Sequence, residues 1–142
     1  TVISKFENAG LKIVGMRMVW VNKSLSKKHY SDHIGKPFFP GLDEFIRSGP
    51  VLAMVLEGVE AIKNVRRIVG STAPSEATPG TIRGDYAHHS YAYADRAGKS
   101  IANIIHASGD AKDAKKEVSL WFDKKELHSY KTVHDLIALK KD

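Results

Sequence analysis

Residues 103–108 read Asn-Ile-Ile-His-Ala-Ser, and this stretch decides the fold, because a short apolar segment presents one histidine and then turns into a helix. Ser108 or Asp110 is predicted to cap that helix, which continues to Phe122. Its apolar stripe has helical spacing and consists of Ala111, Ala114, Val118 and Trp121. Glu117 falls on the same face, and a carboxylate on a core-facing stripe requires a hydrogen-bonding partner.

His106 is the nearest candidate partner for Glu117 in the sequence. A carboxylate that holds one ring nitrogen fixes the tautomer of an imidazole and leaves the other nitrogen free to act as a nucleophile or base. Taken alone, these residues also fit the commoner arrangement of a hydrogen-bonded core histidine beside a surface glutamate. The choice between the two interpretations depends on the rest of the chain.

Composition restricts the class of protein. The 142 residues are 42% hydrophobic and 27% charged, which fits one globular domain, residues 1–142, with its own core. No apolar run is long enough to span a membrane and no signal-peptide pattern is present, so a cytoplasmic location and no membrane partner are expected. The absence of cysteine excludes thiolate nucleophiles and metal sites with thiolate ligands. The net charge of +6 favours an anionic partner, but without a contiguous basic strip a nucleic acid is not the expected one.

Two strands are predicted from runs of apolar and β-branched residues. Residues 11–20 are apolar on both alternating faces and are expected to be covered on both sides. Residues 51–56 form a continuous apolar run typical of a central strand. Residues 2–8, before the first strand, are predicted to be the end of a helix with Ile3 and Phe6 facing inward.

Two short helices between these strands are predicted to form a hairpin. The first is capped by Ser24 and ends near Tyr30, and the second covers residues 42–47. The turn between them, residues 36–41, is rigid and aromatic with two prolines. Helices joined in this way are expected to form a lid.

The second half of the chain is predicted to contain three more helices and a long irregular segment. The first helix follows Gly58 and carries Arg66 at the edge of a stripe formed by Val59, Ile62, Val65 and Val69. Residues 70–81 are predicted to be loop, and residues 86–102 an extended loop or hairpin. The second helix is the one after His106, and the third, at the C-terminus, uses Val133, Leu136 and Ile137. His88 and His89 are interpreted as solvated neighbours whose side chains point apart. The other histidines are interpreted as surface residues: His29, His33, His128 and His134.

Five blocks of sequence give these observations a common meaning. They are Pro37-Phe38-Phe39, Ser48-Gly49-Pro50-Val51, Pro79-Gly80-Thr81-Ile82-Arg83-Gly84-Asp85, residues 103–108, and Glu117 with Trp121-Phe122. Together, in this order and over nearly the whole chain, they closely resemble the nucleoside diphosphate kinase family. The Arg-Gly-Asp block and the histidine block are highly specific to it.

The resemblance implies an α+β fold, a ferredoxin-like α/β sandwich in which helices cover an antiparallel four-stranded sheet and a helical hairpin forms a lid. It implies transfer of the γ-phosphoryl group from a nucleoside triphosphate, mainly ATP, to a nucleoside diphosphate through a phosphohistidine, in a ping-pong mechanism. The implied cofactor is Mg²⁺, held mainly by the nucleotide phosphates and not by protein ligands. The implied partners are nucleoside tri- and diphosphates and further copies of the chain, in a hexamer or tetramer.

The resemblance also implies a role for individual residues. His106 matches the phosphorylated histidine, Glu117 the carboxylate that orients it, Tyr30 a tyrosine close to it, and Ser108 a serine bonded near the glutamate. At the nucleotide, Phe38 matches the aromatic on which the base stacks and Leu42 its apolar neighbour, while Arg66, Thr72, Arg83 and Asn103 match the groups that hold the phosphates, the metal-bound tail and the ribose. Taken individually, Phe38 also fits a turn anchor, Arg66 a surface arginine and Thr72 a loop cap.

Two departures from the family pattern affect these expectations. The family's first strand carries a Lys-Pro-Asp-Gly motif whose lysine contacts the phosphate, and nothing before Thr1 corresponds to it. Since that strand lies inside the family's sheet, we expect the natural protein to contain it, and its loss to give poor activity and an open sheet edge. Residues 86–102 are longer than usual and are candidates for shaping subunit contacts or nucleotide access. A nucleotide- or nucleic-acid-binding module of the same fold, without turnover, is the alternative function.

Overall fold

The computed structural model of the protein describes residues 1–139. Its strands and helices are, in chain order, α1 (Val2–Asn8), β1 (Lys12–Trp20), α2 (Lys23–His29), α3 (Phe39–Arg47), β2 (Pro50–Glu57), α4 (Ala61–Val69), α5 (Ile82–Tyr86), α6 (Tyr91–Arg96), α7 (Ala111–Trp121) and α8 (Val133–Ile137). Single 3-10 turns cover Ser31–His33, Pro74–Glu76 and Lys124–Glu126. No helix within this part of the chain is long and apolar enough to cross a membrane.

The sheet is formed by β1 and β2, which run antiparallel with Met16 opposite Met54 and Met18 opposite Leu52. Both predicted strands are confirmed. The expectation that β1 is covered on both faces is wrong, since Met16, Met18 and Trp20 are all exposed. Alternate residues of a strand share one face, so one face of the sheet is open along the second half of β1.

The sheet within residues 1–139 has two strands, where the resemblance implies four. The segment after α7 does run beside β1, because the His128 main-chain N–H donates to the Val14 carbonyl at 2.7 Å and the Tyr130 hydroxyl to the Ile13 carbonyl at 2.6 Å. One main-chain bond does not make a ladder, which requires repeated pairs along both strands. The fold is therefore α+β with an antiparallel sheet, but the four-stranded prediction is not matched.

The core lies where α1, α4 and α5 meet the inner face of the sheet. Its centre is a buried cluster of Phe6, Leu11, Val69 and Ile82, against which side chains of β2 and those of Ile105 and Ala107 pack. Complete burial of a side chain such as Phe6 or Ile82 contributes about 1.5–3 kcal/mol relative to exposure. The cluster thereby fixes α5 and the histidine segment in one place, and Phe6 faces inward as predicted.

The predicted helical hairpin is present, with two corrections at its helix ends. Asn22, not Ser24, caps α2, since its side chain accepts the Leu25 N–H at 2.9 Å. α3 begins at Phe39, three residues earlier than predicted, because Pro40 is compatible with the first turn of a helix. A buried bond of 2.5 Å from the Ser26 hydroxyl to Asp43 ties the two helices together.

Four further predictions are corrected by the structure. The segment 86–102 contains α6, which Ser90 caps by accepting the Tyr93 N–H at 3.1 Å. The rings of His88 and His89 do not point apart but stack with centroids 5.4 Å apart. α4 begins at Ala61, so Val59 lies outside it and is exposed. The apolar side chains of α8 are also exposed: Val133, Leu136 and Ile137.

Candidate active site

Glu117, in the middle of α7, joins the residues on which the site is built. Asp110 caps this helix, since its carboxylate accepts the Asp113 N–H at 2.9 Å. Ser108 is therefore not the cap, and its hydroxyl donates to Oε2 of Glu117. The other oxygen, Oε1, lies 2.8 Å from Nε2 of His106. The contact between His106 and Glu117 that helical spacing predicted is confirmed.

This geometry determines which nitrogen of His106 is available. Nε2 faces a carboxylate and therefore carries the proton of a neutral ring, which leaves the lone pair on Nδ1. The side chain of His106 is 52% exposed, whereas that of Glu117 is 19% exposed. The imidazole is thus open to solvent, while the carboxylate that bonds to it lies mostly beneath the surface.

The charge of Glu117 depends on opposing effects. Burial acts to raise the pKa of its carboxyl, but the hydrogen bonds from His106 and Ser108 and the nearby imidazoles outweigh burial and lower it. Glu117 is therefore ionised at neutral pH. An ionised acceptor makes stronger hydrogen bonds than a neutral one, which suits the task of fixing an imidazole.

His29 lies inside this site, although its sequence neighbours gave it the interpretation of a surface residue. Its side chain is 4% exposed, and its ring stands edge-on to His106 with centroids 4.8 Å apart. The Trp121 indole N–H donates to its Nδ1 at 3.2 Å. The sequence did carry one signal for this position, since His29 follows the half-buried Leu25 by four residues and so shares the inner face of α2.

Tyr30 follows His29 at the end of α2 and is half-buried. Burial, followed by the charge of Glu117, raises the pKa of its phenol to about 12, so the hydroxyl stays protonated. The rings of Tyr30 and His29 meet edge-on with centroids 4.6 Å apart, so Tyr30 contacts the ring that in turn contacts His106.

Arg83 reaches the site from α5. Its guanidinium donates to the carbonyl of Gly70 at 3.1 Å and to that of Ile105, the residue before His106, at 2.8 Å. Burial, then the charge of Arg66, lowers its pKa. Its Nε is buried and bonds to no group in the described part of the chain, and the same is true of Oδ1 of Asn103. Two buried polar atoms without a partner in this part of the chain, both near the histidine segment, can each accept or donate a hydrogen bond to a polar ligand.

The Arg-Gly-Asp block is explained by local packing. Thr81 caps α5 by accepting the Gly84 N–H at 3.1 Å. A Cβ at Gly84 would collide with the Thr78 carbonyl, so only glycine fits there. Asp85 forms an ion pair with Lys5 at 2.7 Å. These contacts hold the preceding loop closed and keep Arg83 in place.

Arg66 and Thr72 lie on the solvent side of this region. Arg66 is exposed in the last turn of α4 and lines an open cavity of about 560 Å³ together with Ile62 and Gly109. Thr72 is exposed in the loop two residues after Gly70, whose carbonyl Arg83 binds. The structure therefore puts Arg66 and the Gly70–Thr72 loop on the Arg83 side of the site, and within residues 1–139 no hydrogen bond joins Arg66 or Thr72 to His106.

Phe38 and Leu42 lie at the start of α3, the second helix of the hairpin. The ring of Phe38 is 46% exposed, and its carbonyl accepts the Ser100 hydroxyl at 2.9 Å. Leu42 is half-buried one turn further on. A series of ring contacts connects Phe38 to His106. The centroid distances are 5.4 Å for Phe38–His33, 6.0 Å for His33–Tyr30, 4.6 Å for Tyr30–His29 and 4.8 Å for His29–His106.

Within residues 1–139, the group of metal-ligating side chains that come close together is His29, His106 and Glu117, whose ligand atoms lie within 4.8 Å of one another. Each is already engaged, because Glu117 accepts from His106 and Ser108 and His29 accepts from Trp121. Mg²⁺ prefers six oxygen ligands. The donor set therefore does not fit a magnesium cage made by protein side chains.

Comparison with known proteins agrees with the geometry. The family model described as nucleoside diphosphate kinase matches residues 1–127. A nucleoside diphosphate kinase of Pyrococcus furiosus is 46% identical over 91% of this chain and 76% of the relative. One of Staphylococcus epidermidis is 48% identical over 92% of this chain and 80% of the relative.

Solved structures show the same likeness. The nucleoside diphosphate kinase of Borrelia burgdorferi, in a transition state mimic with bound vanadate and ADP, superposes with a TM-score of 0.90 at 43% identity, over 94% of this chain and 83% of that one. A halophilic enzyme from Halobacterium salinarum in complex with CDP gives 0.83 at 38% identity, over 95% and 84%. Sequence, site geometry and these likenesses lead to one conclusion: the chain belongs to the nucleoside diphosphate kinase family.

Proposed function

We propose that this protein transfers the γ-phosphoryl group of a nucleoside triphosphate, mainly ATP, to a nucleoside diphosphate through a phosphohistidine at His106. The observation that carries the proposal is the bond of 2.8 Å between Nε2 of His106 and Oε1 of Glu117. It turns Nδ1 of a half-exposed ring outward as the nucleophile. The likeness to a Borrelia burgdorferi kinase with bound vanadate and ADP supports the same chemistry.

In the first half-reaction, the lone pair of Nδ1 attacks the γ-phosphorus of the triphosphate. The P–N bond forms, the bond from phosphorus to the β,γ-bridging oxygen breaks, and the nucleoside diphosphate leaves with the electron pair. The ring gains positive charge and keeps its proton on Nε2, and the Glu117 carboxylate accepts the hydrogen bond from this N–H and stabilises the charge. Ser108 holds the second carboxylate oxygen, so Glu117 does not rotate during the step.

The second half-reaction reverses the first with a different nucleotide. An oxygen of the acceptor's β-phosphate attacks the phosphorus, the P–N bond breaks, and the electron pair returns to Nδ1. Phosphoryl transfer requires little of a protein beyond in-line positioning and neutralisation of the equatorial oxygens. Arg66 and Arg83 are proposed for this task, because a planar guanidinium meets phosphate oxygens in pairs. Asn103 and Thr72 are proposed to bind the remaining polar groups of the nucleotide.

Magnesium is proposed to arrive with the nucleotide, held mainly by its phosphates, and to supply charge neutralisation when bound. This proposal agrees with the donor set of the site, in which Glu117 and the two histidines are already engaged with one another and with Ser108 and Trp121.

The nucleoside is proposed to lie on the exposed ring of Phe38, beside Leu42. Stacking on an aromatic ring tolerates every base, so broad nucleotide specificity follows.

Assembly into a hexamer or tetramer, a cytoplasmic location and a four-stranded sheet remain proposals from the family resemblance. The main-chain bond from His128 to Val14 beside β1 supports the last of these.

The test is transfer between nucleotides. ATP labelled in the γ-phosphate should leave acid-labile, base-stable label on the protein, and addition of dGDP or UDP should convert the label into the new triphosphate. His106→Ala should abolish labelling, whereas His128→Ala, a change at an exposed histidine beside β1, should not. Label that survives in His106→Ala removes His106 from its role.

The same mixture tests the alternative of a binding module without turnover. Nucleotide or nucleic-acid binding with a steep salt dependence and no new triphosphate would favour that module. The comparisons do not favour it, since the relatives are named as kinases.

A further inference from the structure

His29 occupies the space between Trp121 and His106. Its Nδ1 accepts the indole N–H at 3.2 Å, so in the neutral ring the proton is on Nε2. The ring is nearly perpendicular to both neighbours, at 83° to His106 and 90° to Trp121. Because its side chain is only 4% exposed, His29 has little freedom to move, and the His106 ring packs against it in a T-shaped arrangement.

The same nitrogen of His29 lies close to the acid that orients His106. Nδ1 is 3.8 Å from Oε1 of Glu117, the oxygen that binds His106 at 2.8 Å. A proton on Nδ1 would remove the acceptor for the Trp121 indole and would create a second donor for Oε1. A protonated His29 would therefore compete with His106 for its orienting acid.

The surroundings of His29 keep it neutral. Burial, followed by the charges of His106, Lys116 and His33, lowers its pKa, Glu117 alone acts to raise it, and the result is about 4. Tyr30 also contacts the ring but stays uncharged at neutral pH, since its own pKa is raised. At physiological pH, His29 is an acceptor for Trp121 and leaves Glu117 to His106.

We infer that His29 is a positioning residue, which fixes the orientation of the His106 ring and, by accepting the hydrogen bond of the Trp121 indole N–H, leaves Oε1 of Glu117 available to His106. The inference rests on the proposed function in one respect, the role of His106 as nucleophile. It adds a buried histidine and an indole N–H to the group that aims the nucleophile, outside the set of residues that touch the nucleotide.

The test uses the whole chain and four variants. His29→Ala removes the ring. His29→Asn restores an acceptor oxygen near the position of Nδ1 but cannot take a proton, and Trp121→Phe keeps a ring while removing the donor. His128→Ala is the matched control at an exposed histidine. Single-turnover labelling with γ-labelled ATP is measured from pH 3.5 to 9 at several ATP concentrations, together with the ¹⁵N chemical shifts of the His29 and His106 rings.

The expected results separate positioning from stability and from nucleotide binding. His29→Ala should slow labelling by about 10- to 100-fold, the loss that a small misplacement of a reacting group produces, without change in the half-saturating ATP concentration. His29→Asn should recover most of the rate. Trp121→Phe should move the acid limb of the pH profile upward by about one pH unit, because Nδ1 released from the indole binds a proton more readily.

Two results would overturn the inference. One is a wild-type rate and pH profile in both His29→Ala and Trp121→Phe; the other is a loss confined to the half-saturating concentration, which would make His29 a nucleotide contact. If His29→Ala does not fold, an unchanged acid limb in Trp121→Phe is sufficient to reject it. Failure of the proposed function is a separate outcome, because label on His106→Ala would show that His106 is not the nucleophile. Even then, the ¹⁵N shifts of the His106 ring show whether His29→Ala mixes its two tautomers.

Discussion

Replacement of Glu117 by glutamine is the sharpest test of how His106 is aimed. The glutamate accepts two hydrogen bonds, one from Nε2 of His106 at 2.8 Å and one from the Ser108 hydroxyl. Glutamine keeps nearly the same shape and can still offer one oxygen to His106. It removes the negative charge that faces the ring when phosphorylation makes that ring positive.

The expected loss follows from the strength of the bond that changes. A hydrogen bond to a charged group contributes about 1.5–3 kcal/mol and a neutral one about 1 kcal/mol, so the charge itself accounts for about 0.5–2 kcal/mol. Glu117 is mostly shielded from solvent, so little of this is screened. The phosphorylation rate should fall about 2- to 30-fold, with the phosphoenzyme still formed.

Rapid-quench labelling with γ-labelled ATP measures this rate directly. Glu7→Gln is the matched control, because it removes the same charge at an exposed position of α1. The reasoning is refuted if Glu117→Gln labels as fast as the wild type, since the carboxylate would then have no part in the step. It is also refuted if Glu117→Gln never labels, which would make Glu117 chemically essential and not an orienting group.

Other predictions concern the base, the buried arginine and acid stability. Phe38→Ala should weaken nucleotide binding by about 5- to 150-fold, equally for ADP, GDP, UDP and CDP, because stacking contributes about 1–3 kcal/mol for any base; calorimetry checks this, and a loss confined to one base would contradict it. Arg83→Lys should lower stability by about 1–3 kcal/mol in urea unfolding, since an ammonium lacks the two separate nitrogens with which the guanidinium bonds the Gly70 and Ile105 carbonyls; unchanged stability would show that the bridge is unimportant. The pKa of His29 is about 4 in the folded protein, against an ordinary value of 6.5, so the unfolded chain binds a proton first as the pH falls. Its contribution of up to about 3 kcal/mol is fully present above pH 6.5 and is lost toward pH 4, and His29→Asn should show a smaller difference in urea midpoint between these two pH values.

The features that the sequence predicts well are those set by neighbours along the chain. Helical spacing places Glu117 beside Trp121 on the inner face of α7, and a buried carboxylate requires a donor, so the pairing with His106 followed from local reasoning. The two strands and the hairpin were also predicted, because apolar runs and the proline-containing turn encode them locally.

The features that the sequence predicts poorly depend on contacts between distant residues. His29 was interpreted as a surface residue, since one half-buried leucine four residues earlier is a weak signal and Trp121, its partner, is 92 residues away. The composition of β1 is typical of a strand buried on both faces. Whether its outer face is exposed depends on what packs against it, which no local pattern encodes. The short α6 lacks an apolar stripe and depends on its Ser90 cap, so periodicity could not reveal it.

The nitrogen that carries the phosphoryl group is the most direct test of the whole account. ³¹P and ¹⁵N NMR of the protein treated with ATP should show a P–N bond at Nδ1 of His106, with Nε2 still protonated and bonded to Glu117. A phosphoryl group on Nε2 of His106, or on any other residue, would contradict the claim that Glu117 selects the nucleophile.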